Sequence, residues 1–272
     1  MSAYAVFPQT VQEHPPSASQ TIDRAIQLVR LISTARGAGL ALSELVQRGG
    51  MTKPTTRRLL VSLISNGMVE QDPESRRYHL GPDAYMFGMI ASERYDIHKL
   101  AAVSLATIAE ASGDTALLCV QRGMEWICLA REEGSYPLRS HVLQPGDRHP
   151  VGAGSPGMAI LAALSDSDVD VILAHNGAQL NANYPGHTVE VARLQLARTR
   201  REGYALNAGY VIPESWGMAV ALRDGRSNIV AALTITAIKS RFSGGRVEQL
   251  SAMLKDEARK LEMRLASGGR TF

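Results

Sequence analysis

Basic side chains are concentrated in two short clusters of this sequence, and a hydroxyl group accompanies the first. They are Lys53, Thr55, Arg57 and Arg58 in the first cluster, with Arg76 and Arg77 in the second. Lysine and arginine neutralise phosphate, and arginine also reads base edges. The formal net charge is only +3 over 272 residues, so attraction to a polyanion must come from such local clusters. The alternative interpretation is an ordinary solvated basic surface.

A second candidate for chemistry is the segment GAGSPG at residues 152–157, which matches GxGxxG. No parallel strand is expected before it, and Asp166, Asp168 and Asp170 are better explained as residues at the start of a helix. Dinucleotide binding is therefore not expected. The free N–H groups of a helix start around Ser155 and Gly157 would instead favour a small carboxylate.

Catalytic and metal sites are not expected from the remaining residues. There is no GxSxG, and the proline after Ser155 lacks the N–H that a hydrolase oxyanion hole requires. The histidines are scattered, without a partner four residues on. Cys119 and Cys128 fit buried apolar positions in a reducing compartment better than a redox pair. We expect no enzyme activity, no metal and no cofactor.

Membrane and export signals are also missing from the sequence pattern. No stretch approaches the roughly 20 apolar residues that cross a bilayer. Residues 1–20 have neither a basic start nor an apolar run, and their Pro, Ser and Gln content predicts a disordered arm over residues 1–19. We expect a cytoplasmic protein.

Three helices precede and carry the basic clusters. The first starts with Thr21 as N-cap and has its apolar face at Ile22, Ala25, Ile26, Val29 and Ile32. The second is LSELVQR, with Ser43 as cap, and Gly49 with Gly50 ends it. The third has Thr52 as cap and Pro54 in its first turn.

A hairpin follows the third helix. MVEQ and RRYHL read as two strands around a DPES turn, with Arg76 and Arg77 on the second strand. Three helices and a basic hairpin in this order predict a winged helix-turn-helix, in which the third helix enters the major groove. This agreement favours nucleic-acid contact over a solvated surface.

The sequence resembles the IclR family of bacterial transcriptional regulators from about Thr21 to Arg264. The resemblance is carried by TIDRAIQLVRLIS, LSELVQRGGMTKPTTRRLLVSLISNGMVEQDPESRRYHLGP and the later REGYAL. It implies a winged helix-turn-helix over 20–82, a linker helix over 83–98, and a GAF-like α/β effector-binding domain over 99–267. It also implies a double-stranded DNA operator and a small-molecule effector as partners, and pairing of chains into a dimer or tetramer.

The sequence after residue 81 predicts an α+β domain. Tyr85, Met86, Phe87 and Met89 suggest core or dimer packing rather than a cofactor site. Strands are expected at TALLCVQR, GMEWICLAREE and PLRSHVL, then a two-helix segment, then strands at WGMAVALRD and SNIVAALTITAI, and a closing helix near 245–265. The expected architecture is an antiparallel sheet with helices packed on it.

The resemblance also implies an effector cleft. Its residues in this sequence are Ser155, Pro156, Asn207, Trp216, Gly217, Thr234 and Thr236. From the residues alone, the threonines are ordinary strand residues and Trp216 is a core residue. Many family members carry an acidic run where this chain has Asn207-Ala208-Gly209-Tyr210, so we expect an aromatic or other bulkier carboxylate. A ligand-converting sensor enzyme and a ligand-independent DNA-binding protein are the alternatives.

Overall fold

The computed structural model describes residues 19–92, 97–138, 143–184, 188–224 and 228–267. The described residues divide into two compact units. One comprises the residues up to Ser92 and the other begins at Ile97. Each unit has its own apolar core.

The N-terminal unit consists of helices and one hairpin, as predicted. Its elements are α1 (Gln20–Thr34), α2 (Leu42–Gly49), α3 (Lys53–Ser65), β1 (Val69–Gln71), β2 (Tyr78–Leu80) and α4 (Pro82–Ser92). Strands β1 and β2 pair antiparallel, and Leu40 adds a single bridge to Tyr78. Leu28, Ile32, Leu45 and Leu60 are fully buried between the first three helices and the hairpin.

Two helix starts in this unit differ from the prediction. Helix α1 begins at Gln20, so Thr21 lies inside it, and Ile22 is 63% exposed because the helix buries its last turns instead. Helix α2 begins at Leu42, and Ser43 is not its cap. The N–H of Ala41, the residue before the helix, donates to Glu44 Oε2 at 2.8 Å, which is the half of a capping box that the N3 glutamate supplies.

The C-terminal unit is a six-stranded antiparallel sheet between helices. Its elements are α5 (Ile97–Ser112), β3 (Thr115–Arg122), β4 (Glu125–Glu132), β5 (Arg148–Pro150), α6 (Gly154–Ala163), α7 (Asp166–Asn183), α8 (Val189–Glu202), β6 (Ala205–Ile212), β7 (Ser215–Arg223), β8 (Ile229–Ile238) and α9 (Arg246–Ala266). The strand order is β5-β4-β3-β8-β7-β6. One face of the sheet packs on α5 and α9, and the other packs on α6, α7 and α8. The α+β class and the antiparallel sheet are confirmed.

Three local predictions in this unit were wrong. A strand was predicted at PLRSHVL, residues 137–143, but Pro137, Leu138 and Leu143 are not in a strand, and residues 139–142 lie outside the described part of the chain. The third strand of the sheet along the chain is β5 instead. The predicted two-helix segment contains three helices, because Ser165 caps α7 by accepting from Asp168 N at 3.2 Å. Strand β6 was missed, since this half-buried edge strand lacks an alternating pattern.

The predicted apolar stripe of the linker lies on α4 and is not part of a core within the described chain. Tyr85, Met86, Phe87, Met89 and Ile90 are each more than half exposed. None of the residues of α4 is buried. Core packing against the other described residues is therefore excluded for this stripe.

Candidate DNA-binding face and effector cavity

Helix α3 separates its apolar side from its basic side. Leu59 and Leu60 are buried, and the buried hydroxyl of Thr56 donates to Thr52 O at 3.1 Å. The side chain of Thr52 caps the helix by accepting from Thr55 N at 3.4 Å, as predicted. The start of the helix is therefore fixed by local hydrogen bonds.

The opposite side of α3 presents the predicted basic residues to solvent. Lys53, Arg57 and Arg58 are exposed and make no ion pair with another described residue. Thr55 is half-buried, and its hydroxyl accepts from Thr52 Oγ1 at 2.9 Å while its own proton can still be donated. These side chains can all bind a ligand without first breaking an internal ion pair.

The turn between β1 and β2 is held by Asp72. Its Oδ1 accepts from the N–H and the hydroxyl of Ser75, each at 2.6 Å, and these bonds lower the pKa of Asp72. Arg76 follows with φ of 60°, a left-handed conformation that costs a side-chain-bearing residue about 1–2 kcal/mol. Gln71 Nε2 donates to its carbonyl at 2.9 Å. Arg76 and Arg77 both lie in the loop rather than on the strand where they were predicted, and the Arg76 side chain is exposed.

Arg77 is different from the other predicted DNA-binding residues, because its guanidinium is already engaged. Nε donates to Ala38 O at 2.8 Å and to Gly39 O at 3.2 Å. Nη2 donates to Gly39 O at 3.2 Å and pairs with Glu44 Oε2 at 2.9 Å. The structure thus leaves the side chains of five of the six predicted residues free of ion pairs with other described residues and holds the Arg77 guanidinium against the loop before α2 and against Glu44.

A cavity in the C-terminal unit is bordered by all seven residues predicted for the effector cleft. Its empty space, including the open mouth, is about 460 Å³. The lining consists of Trp126, Leu143, His149, Ala153, Gly154, Ser155, Pro156, Tyr184, Asn207, Val211, Ile212, Ser215, Trp216, Gly217, Thr234 and Thr236. None of these described lining residues is Asp, Glu, Lys or Arg.

The start of α6 supplies the main polar feature of the cavity. The N–H groups of Gly154 and Ser155 have no backbone acceptor among the described residues, and the helix has no side-chain cap. Gly154 has φ of 65°, which favours glycine at this sharp entry into the helix. Free N–H groups and the helix dipole together favour a negative charge at this end of the cavity.

The two threonines of β8 face the cavity with different hydrogen bonding. Thr236 Oγ1 donates to Trp216 O at 3.1 Å. Thr234 is 1% exposed, and its Oγ1 has no hydrogen-bond partner among the described residues. The thiol of Cys119 lies beside this hydroxyl. Burial raises the pKa of the Cys119 thiol, and the Thr234 hydroxyl partly offsets that rise. A thiol is a weak partner, so Thr234 retains hydrogen-bonding capacity for a ligand.

Trp216 borders the cavity, but its ring does not face it. Along β7 the residues alternate, so that Gly217 faces α6 while Trp216 packs in the core layer formed with α5 and α9. The Trp216 ring contacts Phe242 with 5.9 Å between centroids. A Cβ on Gly217 would lie 2.8 Å from Ser155 Oγ, so this glycine lets the Ser155 side chain approach β7 closely. The indole in the cavity is that of Trp126.

Trp126, His149 and Tyr184 form an aromatic wall that the sequence did not predict. The rings of Trp126 and His149 lie 4.7 Å apart, and His149 Nδ1 is 2.9 Å from Tyr184 Oη. Burial lowers the pKa of His149 to about 3, and burial also raises the pKa of Tyr184. Both groups are therefore neutral near pH 7. The two-residue period of β4 is the one sequence signal that could have indicated an inward-facing Trp126. No such signal exists for His149 and Tyr184, because they lie on β5 and at the end of α7, far apart in the sequence.

The N-terminal unit has the fold and the exposed basic side of a DNA-binding protein of the winged-helix class. The IclR helix-turn-helix domain matches residues 21–73, and the C-terminal domain of bacterial IclR transcriptional regulators matches residues 89–263. The chain belongs to the IclR family and is a DNA-binding transcriptional regulator. The family's members are regulators rather than enzymes, so the sensor-enzyme alternative is set aside.

Individual relatives match over nearly the whole chain. The transcriptional repressor IclR of Escherichia coli K12 is 29% identical over 254 residues, covering 92% of this chain and 90% of that protein. An IclR transcriptional regulator from Alicyclobacillus acidocaldarius has a TM-score of 0.79 and 27% identity, covering 93% and 100%. An IclR homologue from Microbacterium hydrocarbonoxydans, solved with 4-hydroxybenzoate, has a TM-score of 0.75 and 20% identity, covering 92% and 100%.

Within the described ranges, no cluster of three or more His, Cys, Asp or Glu side chains could hold a metal ion. Likewise, none of the helices in those ranges is long and apolar enough to cross a membrane. Cys119 and Cys128 are buried opposite each other on β3 and β4, both as free thiols.

Proposed function

We propose that this regulator binds an operator in double-stranded DNA with the solvent-facing side of α3 and with its wing, the loop between β1 and β2. Lys53, Arg57 and Arg58 on α3 and Arg76 on the wing are its cationic contacts, and Thr55 lies beside them. The exposure of these cations without internal ion pairs supports this assignment most directly. Residues in the first turns of α3 reach base edges, whereas Arg76 neutralises phosphate.

The C-terminal cavity binds a small organic acid that modulates operator binding. The ligand carboxylate lies at the start of α6, close to Gly154 and Ser155, and its other polar atoms meet Asn207, Thr234 and Thr236. No described lining residue is charged, so a ligand's negative charge is balanced only by neutral donors and by the helix dipole. These groups can compensate one negative charge on the ligand at most. The predicted ligand therefore carries a single carboxylate.

The walls of the cavity favour a ring-sized ligand. Trp126, Leu143, Val211 and Ile212 line it with apolar surface, so a bulky apolar group would be desolvated there. The homologue from Microbacterium hydrocarbonoxydans was solved with 4-hydroxybenzoate, an acid of this kind. An aromatic carboxylate is the proposed effector class, in preference to a small ketoacid.

Two chains pair through the exposed apolar stripe of α4. A helix of eleven residues that buries none of them is unstable by itself in water, so a partner surface accounts for its composition. Pairing places two winged helices on one DNA, and two-fold pairing fits a palindromic operator. The proposed organisation is a winged helix over 20–82, a linker helix over 83–98 and an effector domain over 99–267, assembled as a dimer or tetramer.

The effector acts by binding the DNA-competent and DNA-incompetent states with different affinities, and the coupling is reciprocal. The test is fluorescence anisotropy on the DNA that flanks the protein's own gene, beside a scrambled duplex at two salt concentrations. The titration is then repeated with 4-hydroxybenzoate, benzoate, pyruvate and glyoxylate. We expect an aromatic acid, and neither ketoacid, to change the affinity for the specific duplex. Specific binding that no acid changes would support a ligand-independent DNA-binding protein instead.

A further inference from the structure

The guanidinium of Arg77 holds the wing to the segment that precedes α2. Its Nε and Nη2 donate to the carbonyls of Ala38 and Gly39 at 2.8–3.2 Å. Nη2 also pairs with Glu44 at 2.9 Å. A planar fork that meets two carbonyls and a carboxylate is a use that lysine cannot reproduce.

Glu44 connects this contact to the helix that braces α3. The same Oε2 that pairs with Arg77 accepts from the N–H of Ala41 at 2.8 Å, at the start of α2. Leu40 and Tyr78 exchange backbone hydrogen bonds of 3.0 and 2.8 Å, which join the base of the wing to the same segment. The wing, the loop before α2 and the start of α2 are thus bound together at three points.

Exposure shows which groups of the wing can reach DNA. The side chain of Arg77 is 38% exposed, but its donors Nε and Nη2 are already bound to Ala38 O, Gly39 O and Glu44. Arg76, its neighbour, is exposed and makes no ion pair with a described residue. Because the backbone of Arg76 is left-handed, the two adjacent side chains take different directions: Arg76 lies in solvent, and Arg77 lies against the loop before α2.

We propose that Arg77 is a positioning residue: through Glu44 and the carbonyls of Ala38 and Gly39 it sets the wing relative to α2 and α3, and Arg76 makes the phosphate contact. The proposal rests on the wing facing DNA as described above. It changes the role first predicted for Arg77 from sequence, which was direct DNA contact.

A positioning role and a phosphate contact predict different effects for substitutions of Glu44 and Arg77. Loss of an acidic residue near DNA ordinarily strengthens binding, because a repulsion is removed. If Glu44 acts through Arg77, Glu44→Gln weakens binding, although the glutamine still accepts from Ala41. Likewise Arg77→Lys keeps the charge but loses the fork, and it also weakens binding.

The experiment compares Arg77→Lys, Glu44→Gln and their combination in the full chain, with Arg76→Ala as the variant that removes a phosphate contact. DNA affinity is measured by anisotropy on specific and random duplexes, and folding is checked by thermal unfolding. We expect Arg77→Lys and Glu44→Gln each to weaken binding about threefold to tenfold, since the first removes the guanidinium hydrogen bonds and the second removes the charge that strengthens the bond to Arg77. The double variant should be little weaker than either single one, whereas Arg76→Ala should weaken binding to specific and random DNA alike.

Hydrogen exchange without DNA provides a second measurement that a phosphate contact would not affect. The amides of Asp72 and Arg76 are hydrogen-bonded in the wing and should exchange faster in Arg77→Lys and Glu44→Gln. Wild-type affinity and exchange in Arg77→Lys and Glu44→Gln, with a loss in Arg76→Ala, would overturn the positioning role alone. Wild-type affinity in Arg76→Ala and in a Lys53→Ala variant would overturn the proposed DNA-binding face, and the positioning role with it.

Discussion

The indole N–H of Trp126 donates to the carbonyl of Ala153 at 3.0 Å. Ala153 is the residue before the first turn of α6, so this bond fixes the point where the helix enters the cavity wall. A Cβ on Gly157 would lie 2.7 Å from Trp126 Nε1, which shows how closely the helix approaches the indole. One buried tryptophan therefore determines where the N–H groups of Gly154 and Ser155 point.

Trp126→Phe should lower the free energy of unfolding and weaken binding of the acid. The substitution removes the only N–H of the indole and leaves a buried carbonyl without this donor, at a cost of about 1–3 kcal/mol plus a small cavity. Urea unfolding and calorimetric titration with 4-hydroxybenzoate measure the two effects. Trp216→Phe is the matched control, because the indole N–H of Trp216 has no partner in the described chain. An equal loss of acid binding in both variants would contradict the assignment of the cavity indole to Trp126.

Thr234→Val and Thr236→Val should change stability in different ways. Thr236 loses a hydrogen bond to Trp216 O, so its variant should be about 1 kcal/mol less stable. Thr234 loses a buried hydroxyl that has only a thiol beside it, so its variant should be as stable as the wild type or more so. Denaturant unfolding without ligand provides this comparison.

Ligand binding should rank the two threonine variants in the opposite order. The Thr234 hydroxyl is available to a ligand, whereas that of Thr236 is already used within the sheet, so Thr234→Val should lose more affinity. Titration with the acid that changes DNA binding measures this. A Thr234→Val protein that is less stable yet binds the acid normally would show that the hydroxyl has a structural partner.

The sequence predicted the fold better than it predicted the cavity. Periodicity and capping located α3, α9, β3 and β8, because each has a buried side and ends that hydrogen-bond locally. The half-buried edge strand β6 has no such pattern. His149 and Tyr184 could not be predicted, since they meet only after β5 and α7 pack on the same face of the sheet. Arg76 and Arg77 look alike in sequence, and only the backbone of the turn separates their surroundings.

Stability should fall as the pH is lowered below about 6.5, in part because of His149. Burial lowers the pKa of this histidine from 6.5 to about 3 in the folded chain. Between these values the unfolded chain binds a proton that the folded chain does not, so the contribution is complete above pH 6.5 and is lost toward pH 3. One such group changes the free energy of unfolding by about 1.4 kcal/mol per pH unit at most.

The measurement is urea unfolding between pH 5 and 7, above the range in which most carboxylates titrate. His149→Gln should flatten the dependence, whereas substitution of the exposed His98 by Gln should leave it unchanged. A pH dependence that is the same in wild type and His149→Gln would exclude the buried histidine as its source.

Phe87→Glu on α4 should reduce the oligomeric state without unfolding the chain. The ring is 58% exposed in the single chain, so a charge there costs little within one chain but disrupts an apolar contact between two. Analytical ultracentrifugation and thermal unfolding measure assembly and folding. Exchange of the exposed Glu110 on α5 for Gln is the control. Unchanged assembly in Phe87→Glu would rule out α4 as the pairing surface.

Arg57→Ala and Arg76→Gly should separate sequence reading from phosphate binding. Arg57 lies on the exposed side of α3, and its loss should cost about 1–3 kcal/mol at one base position and relax specificity there. Arg76→Gly should weaken binding to specific and random DNA alike, and it should reduce the slope of log affinity against log salt concentration by about one. Since Arg76 has a left-handed backbone, glycine should also leave the free energy of unfolding unchanged or raise it, despite the lost side chain. Anisotropy on an operator, on single-base variants and on random duplex measures these differences. Equal losses on operator and random DNA for Arg57→Ala would remove it from the residues that read sequence, and a destabilised Arg76→Gly would show that this side chain also supports the fold of the wing.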